Sequence, residues 1–231
     1  MKVGIMQPYF FPYIGYWQLL NAVDKYVVYD DVNYIKNGWI NRNRILINGQ
    51  PHWFTLPLNK ASPFNLINEI NISSENKVKE NMLKTLHMAY HKAPFFNEVF
   101  PLVEKTIFYS LNLSESLFFS IQEITKYLGI RTELILSSTL NKDNTLKGKN
   151  KVLSICKLLN ADVYLNAIGG QDLYDKQEFQ EHDLKLEFLQ TDKVIYKQLK
   201  NQFVPNLSII DVLMFNSAEQ VNNLLNLYEF K

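Results

Sequence analysis

Apolar positions along the chain fall into short β-prone runs that alternate with stretches of helical spacing. Residues 2–6 are β-prone, 14–23 repeat their apolar positions at helical intervals, and 25–29 are β-prone again before the acidic pair Asp30 and Asp31. The brief crossover, with a second run apolar on both faces, predicts two parallel neighbours in a covered sheet. Two extended runs, 43–48 and 51–58, meet at Asn48-Gly49. That dipeptide favours the type I′ hairpin turn and predicts an antiparallel flap beside the crevice, with Trp53 and Phe54 on opposite faces. From residue 73 to about 127 the spacing is helical: a helix capped by Ser73 or Ser74 runs through Tyr90, Pro94 and Pro101 punctuate the next stretch, and 113–128 is a further helix ended by Gly129. Alternation then resumes, with strands at 132–136, 162–166 and 185–189, helices at 150–159 and 171–181, and closing helices at 207–215 and 218–228. The pattern predicts an α/β fold, a mainly parallel, doubly wound sheet with helices on both faces, plus the β-hairpin and an inserted helical segment at about 73–128.

Composition narrows this picture. A chain of 231 residues, 47% of them apolar, is long enough for a sizeable core and short for two full domains, so the expectation is a single domain over 1–231. With 24 Lys and Arg against 23 Asp and Glu, no global field recruits nucleic acid or an anionic membrane surface. Cys156 is the single cysteine and sits among apolar residues, which excludes an internal disulfide and suggests a small buried hydrophobe. The opening segment lacks a sustained apolar region, Pro8 and Pro12 interrupt it, and no run reaches the roughly 20 apolar residues that span a bilayer. The expectation is a cytoplasmic chain with no membrane insertion.

Ligands of open parallel sheets bind outside the carboxyl ends of the strands, where loops and helix N-termini converge. Here the first such end carries Gln7, Pro8, Tyr9 and Pro12 and runs to Gly15; the second carries Asp30 and Asp31; later ones carry Ser137-Ser138-Thr139 and Asn166-Ala167-Ile168-Gly169-Gly170-Gln171-Asp172. The glycine pair permits a close backbone approach to a phosphate, and Lys147-Gly148-Lys149 adds two cations before a helix start. The segment after the second strand mixes Lys36, Asn37, Trp39, Asn41, Arg42 and Arg44, whose amides and guanidinium groups suit carboxylate, phosphate or sugar oxygens while the indole offers a stacking face. One of Asp30 and Asp31 is a candidate general base, since adjacent strand residues face opposite ways. Neither a dinucleotide fingerprint nor a phosphate-binding P-loop is present, and no nucleophile motif indicates covalent catalysis. His87 and His91 share a helix face, yet the glutamate of a zinc-protease helix is absent. No metal and no cofactor is indicated.

The blocks MQPYFFPYIGYWQLL, YVVYDDVNYIKNGWINRNRI, YHKAPFF, ADVYLNAIGGQDLYD and NLSIIDVLMFNS together resemble the WbqC-like family of bacterial surface-glycan gene clusters, over nearly the whole chain. The resemblance implies a transferase acting on nucleotide-linked sugars in O-antigen synthesis, moving an acyl or aminoacyl group, glycyl among them, to a sugar amine. The matching positions are Gln7, Pro8, Tyr9, Pro12, Gly15, Asp30, Asp31, Lys36, Trp39, Asn41, Arg42, Lys92, Gly148, Lys149, Gly170 and Asp172. The opening strand, proline-rich turn and helix start are also similar to the nucleotide-binding start of Rossmann-like, HUP-like adenylate-forming enzymes, but the histidines of their motif are missing, with Pro12 and Tyr16 nearby. Under this reading Asp30, Asp31 and Asn41 do the chemistry, with Arg42 and Lys149 among the oxyanion donors. Gln7, Pro8, Tyr9, Gly15, Lys36, Trp39, Arg42, Lys149, Gly169, Gly170 and Asp172 hold a nucleotide-linked sugar. A non-catalytic sugar-nucleotide or partner-binding module of the same pathway is the alternative, and no nucleic acid partner is expected.

Overall fold

A computed structural model of the chain describes residues 1–199 and 202–231. Its elements run β1 (Lys2–Met6), α1 (Ile14–Asn21), β2 (Lys25–Val28), β3 (Arg42–Ile47), β4 (Gln50–Thr55), β5 (Leu58–Asn59), β6 (Asn71–Ile72), α2 (Asn76–Tyr90), α3 (Phe96–Phe108) and α4 (Leu113–Leu128). They continue with β7 (Glu133–Leu136), α5 (Gly148–Leu158), β8 (Val163–Ala167), α6 (Lys176–Gln180), β9 (Lys185–Thr191), α7 (Ile209–Phe215), α8 (Ala218–Leu224) and β10 (Tyr228–Phe230). Six strands form the main sheet in the order β10-β9-β8-β1-β2-β7, parallel throughout except for β10, which pairs antiparallel with β9. The chain leaves β1 toward β2 and β7 on one side and returns to β8 and β9 on the other. Such a reversal of strand order opens a crevice at the carboxyl ends of the strands.

Period-two alternation on the strands divides the core into two layers. Tyr26, Val28, Leu165 and Leu189 pack on one face with buried residues of α1, α4, α7 and α8. Val3, Ile5, Val27, Tyr164, Leu186 and Phe188 pack on the other with Val152, Ile155 and Cys156 of α5 and Phe179 of α6. Helices therefore cover both faces, and the strands read as near-continuous apolar runs because neither side meets water.

The hairpin at Asn48-Gly49 forms as the dipeptide predicts. Asn48 and Gly49 both take positive φ, 50° and 76°, Ile47 pairs with Gln50, and Trp53 is half exposed while Phe54 is buried. It is a separate two-stranded sheet docked on the loop after β1, where the Asn43 Nδ2 donates to the Phe11 carbonyl at 2.9 Å.

Several boundaries differ from the periodic reading. α2 begins at Asn76 behind Glu75, and the Ser73 hydroxyl accepts instead from the Glu75 N–H, turning the chain before the helix. Pro101 lies inside α3 rather than at its edge, at the cost of one backbone hydrogen bond. The single helix expected over 171–181 is a 3-10 turn, Ile168–Leu173, followed by α6, because the Asp175 carboxylate caps a fresh start by accepting from the Gln177 and Glu178 N–H groups. At the C-terminus α8 stops at Leu224, and β10 takes the edge position that the helical spacing of 218–228 concealed. Among the described residues no helix is long and apolar enough to cross a membrane.

Trp17 of α1 is fully buried and donates its indole N–H to the Pro12 carbonyl at 3.1 Å, joining the core to the loop after β1. Replacing it by Ala removes both the packing and the tie. Trp17→Ala is expected to lose about 3–5 kcal/mol of unfolding free energy, seen as a lower urea midpoint at unchanged slope; a loss below about 1 kcal/mol would contradict this account of the helix.

Candidate functional site

Beyond β2 the chain runs through Tyr29 into Asp30 and Asp31, and the alternation of the strand sends the two carboxylates to different partners. Asp30 is buried and accepts from the Ser114 hydroxyl at 2.9 Å, the Ser138 N–H at 2.9 Å and the Ser138 hydroxyl at 2.7 Å. It thereby joins β2 to α4 and to the turn after β7. Asp31 pairs with two lysines, Lys142 at 2.7 Å and Lys151 at 3.0 Å, and all three side chains are more than nine-tenths buried. Lys151 also donates to the Asp31 backbone carbonyl at 2.8 Å, and Lys142 to that of Ser137. Burial pushes the Asp31 carboxyl up, but the charges of Lys142 and Lys151 beside it, with the Ser137 hydroxyl nearby, outweigh it and hold the acid below the usual aspartate range. Two cations thus face one carboxylate.

This cluster forms the wall of a cavity of about 470 Å³ at the carboxyl ends of β2 and β7, lined among others by Tyr29, Asp31, Ser138, Lys147, Gly148 and Lys151. α5 begins there at Gly148, with no side chain capping its first turn and no acid in it. The unpaired N–H groups of a helix start and two lysines in one wall favour an anion. Burial, and then the charge of Asp31, push the Tyr29 hydroxyl well above its ordinary range, so it stays a neutral donor.

A second cavity, about 410 Å³, lies between the loop after β1 and the base of the hairpin and is lined by Tyr9, Pro12, Tyr13, Trp39, Asn43, Arg44 and Asn206. The Asn43 amide is committed to the Phe10 and Phe11 carbonyls, and Ser208 donates its hydroxyl to the Phe11 carbonyl at 2.7 Å. Between these clamps Phe11 is held at φ 43°, a left-handed conformation costly for an aromatic residue. Burial raises the Tyr9 and Tyr13 hydroxyls, leaving both protonated.

The residues singled out from sequence are distributed between these places and the loops around them. Asp31 lines the first cavity, and Tyr9 and Trp39 line the second. Gln7 is half-buried and Pro8 buried just beyond β1, and Gly15 packs within α1 against Tyr13 and Thr191. Asn41 spans its loop, accepting from the Tyr34 hydroxyl at 2.8 Å and donating to the Leu56 carbonyl at 2.9 Å. Arg42 donates to the Gly38 and Asn37 carbonyls and lies 4.1 Å over the Trp53 ring, while Lys36 is exposed. Lys149 points to Glu178, 2.7 Å away. Gly169, Gly170 and Asp172 lie in the 3-10 turn after β8. A β-carbon on Gly170 would come within 2.4 Å of the Asn166 Nδ2, so the glycine there makes room for a side chain of its own strand. His87 of α2 stacks 5.4 Å from His91, the residue that ends the helix, and lies edge-on to Phe96.

Lys142, Lys151, Asn206 and the particular position of Arg44 were not distinguished by motif. Lys142 and Lys151 sit in a polar stretch that reads as surface. The available signal was phase: Lys151 precedes Ile155 by four residues and shares its helix face, turned to the sheet. Cys156, beside them on α5, has its thiol pushed up to about 12 by burial, which makes it inert at neutral pH.

The model of the WbqC-like protein family matches residues 7–223. Over 223 residues, 94% of this chain and 95% of the relative, the sequence is 30% identical to "Uncharacterized protein Rv1507c" of Mycobacterium tuberculosis (strain ATCC 25618 / H37Rv). No solved structure matches the chain.

The Asp31 cluster predicts a pH dependence. Its folded-state carboxyl titrates below the unfolded one, so its stabilisation is fully present above the ordinary aspartate value of 3.8 and is lost as pH falls through the lowered folded value. Asp31→Asn should cost about 3–5 kcal/mol at pH 7, because it leaves two buried lysines without their counter-charge. The deficit should shrink toward pH 3. Urea unfolding at both pH values measures it, and an equal deficit at both would refute the electrostatic assignment.

Proposed function

The chain belongs to the WbqC-like protein family, and from that premise we propose that it is a transferase of bacterial surface-polysaccharide assembly. It moves an acyl or aminoacyl group, such as glycyl, to the amine of a nucleotide-linked amino sugar, in the cytoplasm and within one domain spanning residues 1–231. The observation that carries this reading is the cavity at the carboxyl ends of β2 and β7, where Lys147, Lys151 and the uncapped start of α5 meet. That donor set suits the phosphates of a nucleotide-linked sugar, and the cavity lies at the carboxyl ends of parallel strands, beside the crevice between β1 and β8 where the strand order reverses.

In the transfer the sugar amine attacks the acyl carbon, a C–N bond forms as the bond to the leaving group breaks, and the proton the amine gives up passes to the leaving group, which departs as its neutral acid. With the lysines and helix N–H groups on the phosphates, the neutral Tyr29 hydroxyl of the same wall is the donor for the oxyanion that develops on the acyl oxygen. Asp31, kept ionised by its lysines, orients them and is a weak base. A sugar amine that is already neutral needs no stronger one.

One observation favours the second reading, a module that holds a sugar nucleotide for a partner enzyme: Asp30 is spent on Ser114 and Ser138, and Asp31 on Lys142 and Lys151. Incubation with an amine-bearing UDP sugar and a panel of acyl donors separates the two. A mass gain on the sugar identifies the transferase, and tight binding without product across the panel identifies the module.

Losing one charge-assisted phosphate contact costs about 1.5–3 kcal/mol, or roughly ten- to hundredfold in affinity. Lys147→Ala, at an exposed position, should therefore weaken UDP-sugar binding in calorimetric titration by about that factor, while Lys231→Ala at the terminus leaves it unchanged. Wild-type affinity in a folded Lys147→Ala protein would remove the phosphate from this cavity.

A further inference from the structure

We propose that the cavity between the loop after β1 and the hairpin is a second, separate site, taking a six-membered ring that carries one anionic group, a carboxylate or a phosphate. The inference stands apart from the reading of the α5 cavity, since it rests on different residues and a different ligand group.

Arg44 is its centre. The chain has 23 acidic residues, yet among the described residues none lies within ion-pair distance of the Arg44 guanidinium. Among the described residues its buried Nε–H meets no acceptor, and one terminal N–H makes only a 3.4 Å contact with the Asn206 carbonyl. The buried lysines at Asp31 show the opposite arrangement, every charge tied to an acceptor. A buried guanidinium N–H with nothing to donate to is a cost unless a ligand supplies the acceptor. The terminal nitrogens of the guanidinium form a planar fork that matches the two oxygens of a carboxylate or a phosphate.

The remaining walls describe what the anion is attached to. Trp39 and Tyr13 stay 41% and 37% exposed at the mouth of the cavity, and the Arg44 guanidinium lies 5.8 Å from the Trp39 ring. An indole face held open beside a cation fits the C–H face of a sugar ring or a flat aromatic ring, with the anion turned toward the guanidinium. A volume of about 410 Å³ holds one such ring with its substituent. The strained Phe11 backbone behind it, fixed by Asn43 and Ser208, gives the wall a shape set before any ligand arrives.

Glucuronate, glucose 6-phosphate and glucose, titrated separately against the full-length protein by calorimetry and ligand-observed NMR, test the assignment. One or both anions should bind, and which of them binds tells carboxylate from phosphate; glucose should bind about tenfold more weakly or worse. Arg44→Lys, which keeps the charge and loses the fork, should weaken the anion about tenfold or more, and Trp39→Ala, at an exposed position outside the core, should do likewise should Arg44→Lys disturb the hairpin. Lys147→Ala should leave anion binding unchanged, and Arg44→Lys should leave UDP-sugar binding unchanged, so a failure here is told apart from a failure of the α5 reading. Equal binding of glucose, no binding of either anion, wild-type affinity in Arg44→Lys and Trp39→Ala, or loss of the anion in Lys147→Ala would each overturn the proposal.

Discussion

Two adjacent carboxylates at the end of a central strand have to be neutralised or fully hydrogen-bonded in the interior, and the ways in which Asp30 and Asp31 achieve this arrange much of the molecule around them. An unsatisfied buried charge costs several kcal/mol, more than most single packing contacts return. Asp30 resolves it with hydroxyl and amide donors from Ser114 and Ser138, which fixes α4 and the turn after β7 against β2. Asp31 resolves it with Lys142 and Lys151, which fixes the loop before α5 and the first turns of that helix. The start of α5 is therefore held where it is by the acid pair, and the cavity it borders is a consequence of satisfying those charges.

A second constraint operates at the end of β1, and it is made of backbone rather than charge. The turn through Phe10, Phe11 and Pro12 leaves carbonyls that no strand can pair, and they are claimed by Asn43 from the hairpin, Ser208 and Ile209 from the start of α7, and Trp17 from α1. Two elements remote in sequence, the hairpin and α7, converge there with the adjacent α1 because each carries a donor for that one turn. Phe11 in turn accepts an unfavourable φ, which the convergent bonds make affordable only because several of them act together.

The parts of the fold that follow from periodicity were legible in the sequence. β1 and α4 run over the residues their spacing marks out, and Asn48-Gly49 turns as its φ preferences require. What periodicity misplaced is what a local side chain or a sheet edge decides: the Asp175 cap that splits the 171–181 helix, and β10, whose three residues follow α8 without a change of pattern. For the candidate site, the sequence singled out the loops after the parallel strands but could not say which polar groups face each other. Lys149 and Lys151 are two residues apart on one helix, so they face different directions; one meets Glu178 at the surface and the other Asp31 in the interior. Arg42 and Arg44, two apart on a strand, share a face, yet Arg42 stacks on Trp53 and bonds its own loop while Arg44 meets no acid among the described residues. Spacing gives direction, and only tertiary partners give role.

The segment between Asp31 and Arg44 belongs to both cavities, with Val32 and Asn33 in the wall of one and Trp39, Asn43 and Arg44 in the wall of the other. A loop of that length would ordinarily be the most mobile part of such a site. Here it is pinned at intervals: Asn33 bridges to Leu66, the Tyr34 hydroxyl donates to Asn41, Asn41 bonds Leu56 through both side chain and backbone, and the Phe10 N–H donates to the Trp39 carbonyl at 3.1 Å. Asn41 acts as the hinge pin of this arrangement, since its amide uses donor and acceptor on two different parts of the chain. The consequence is geometric: the distance between the charged wall and the aromatic wall is set by bonds that tie this loop to Phe10, Leu56 and Leu66, so the two walls are held in a fixed relation before any ligand is present.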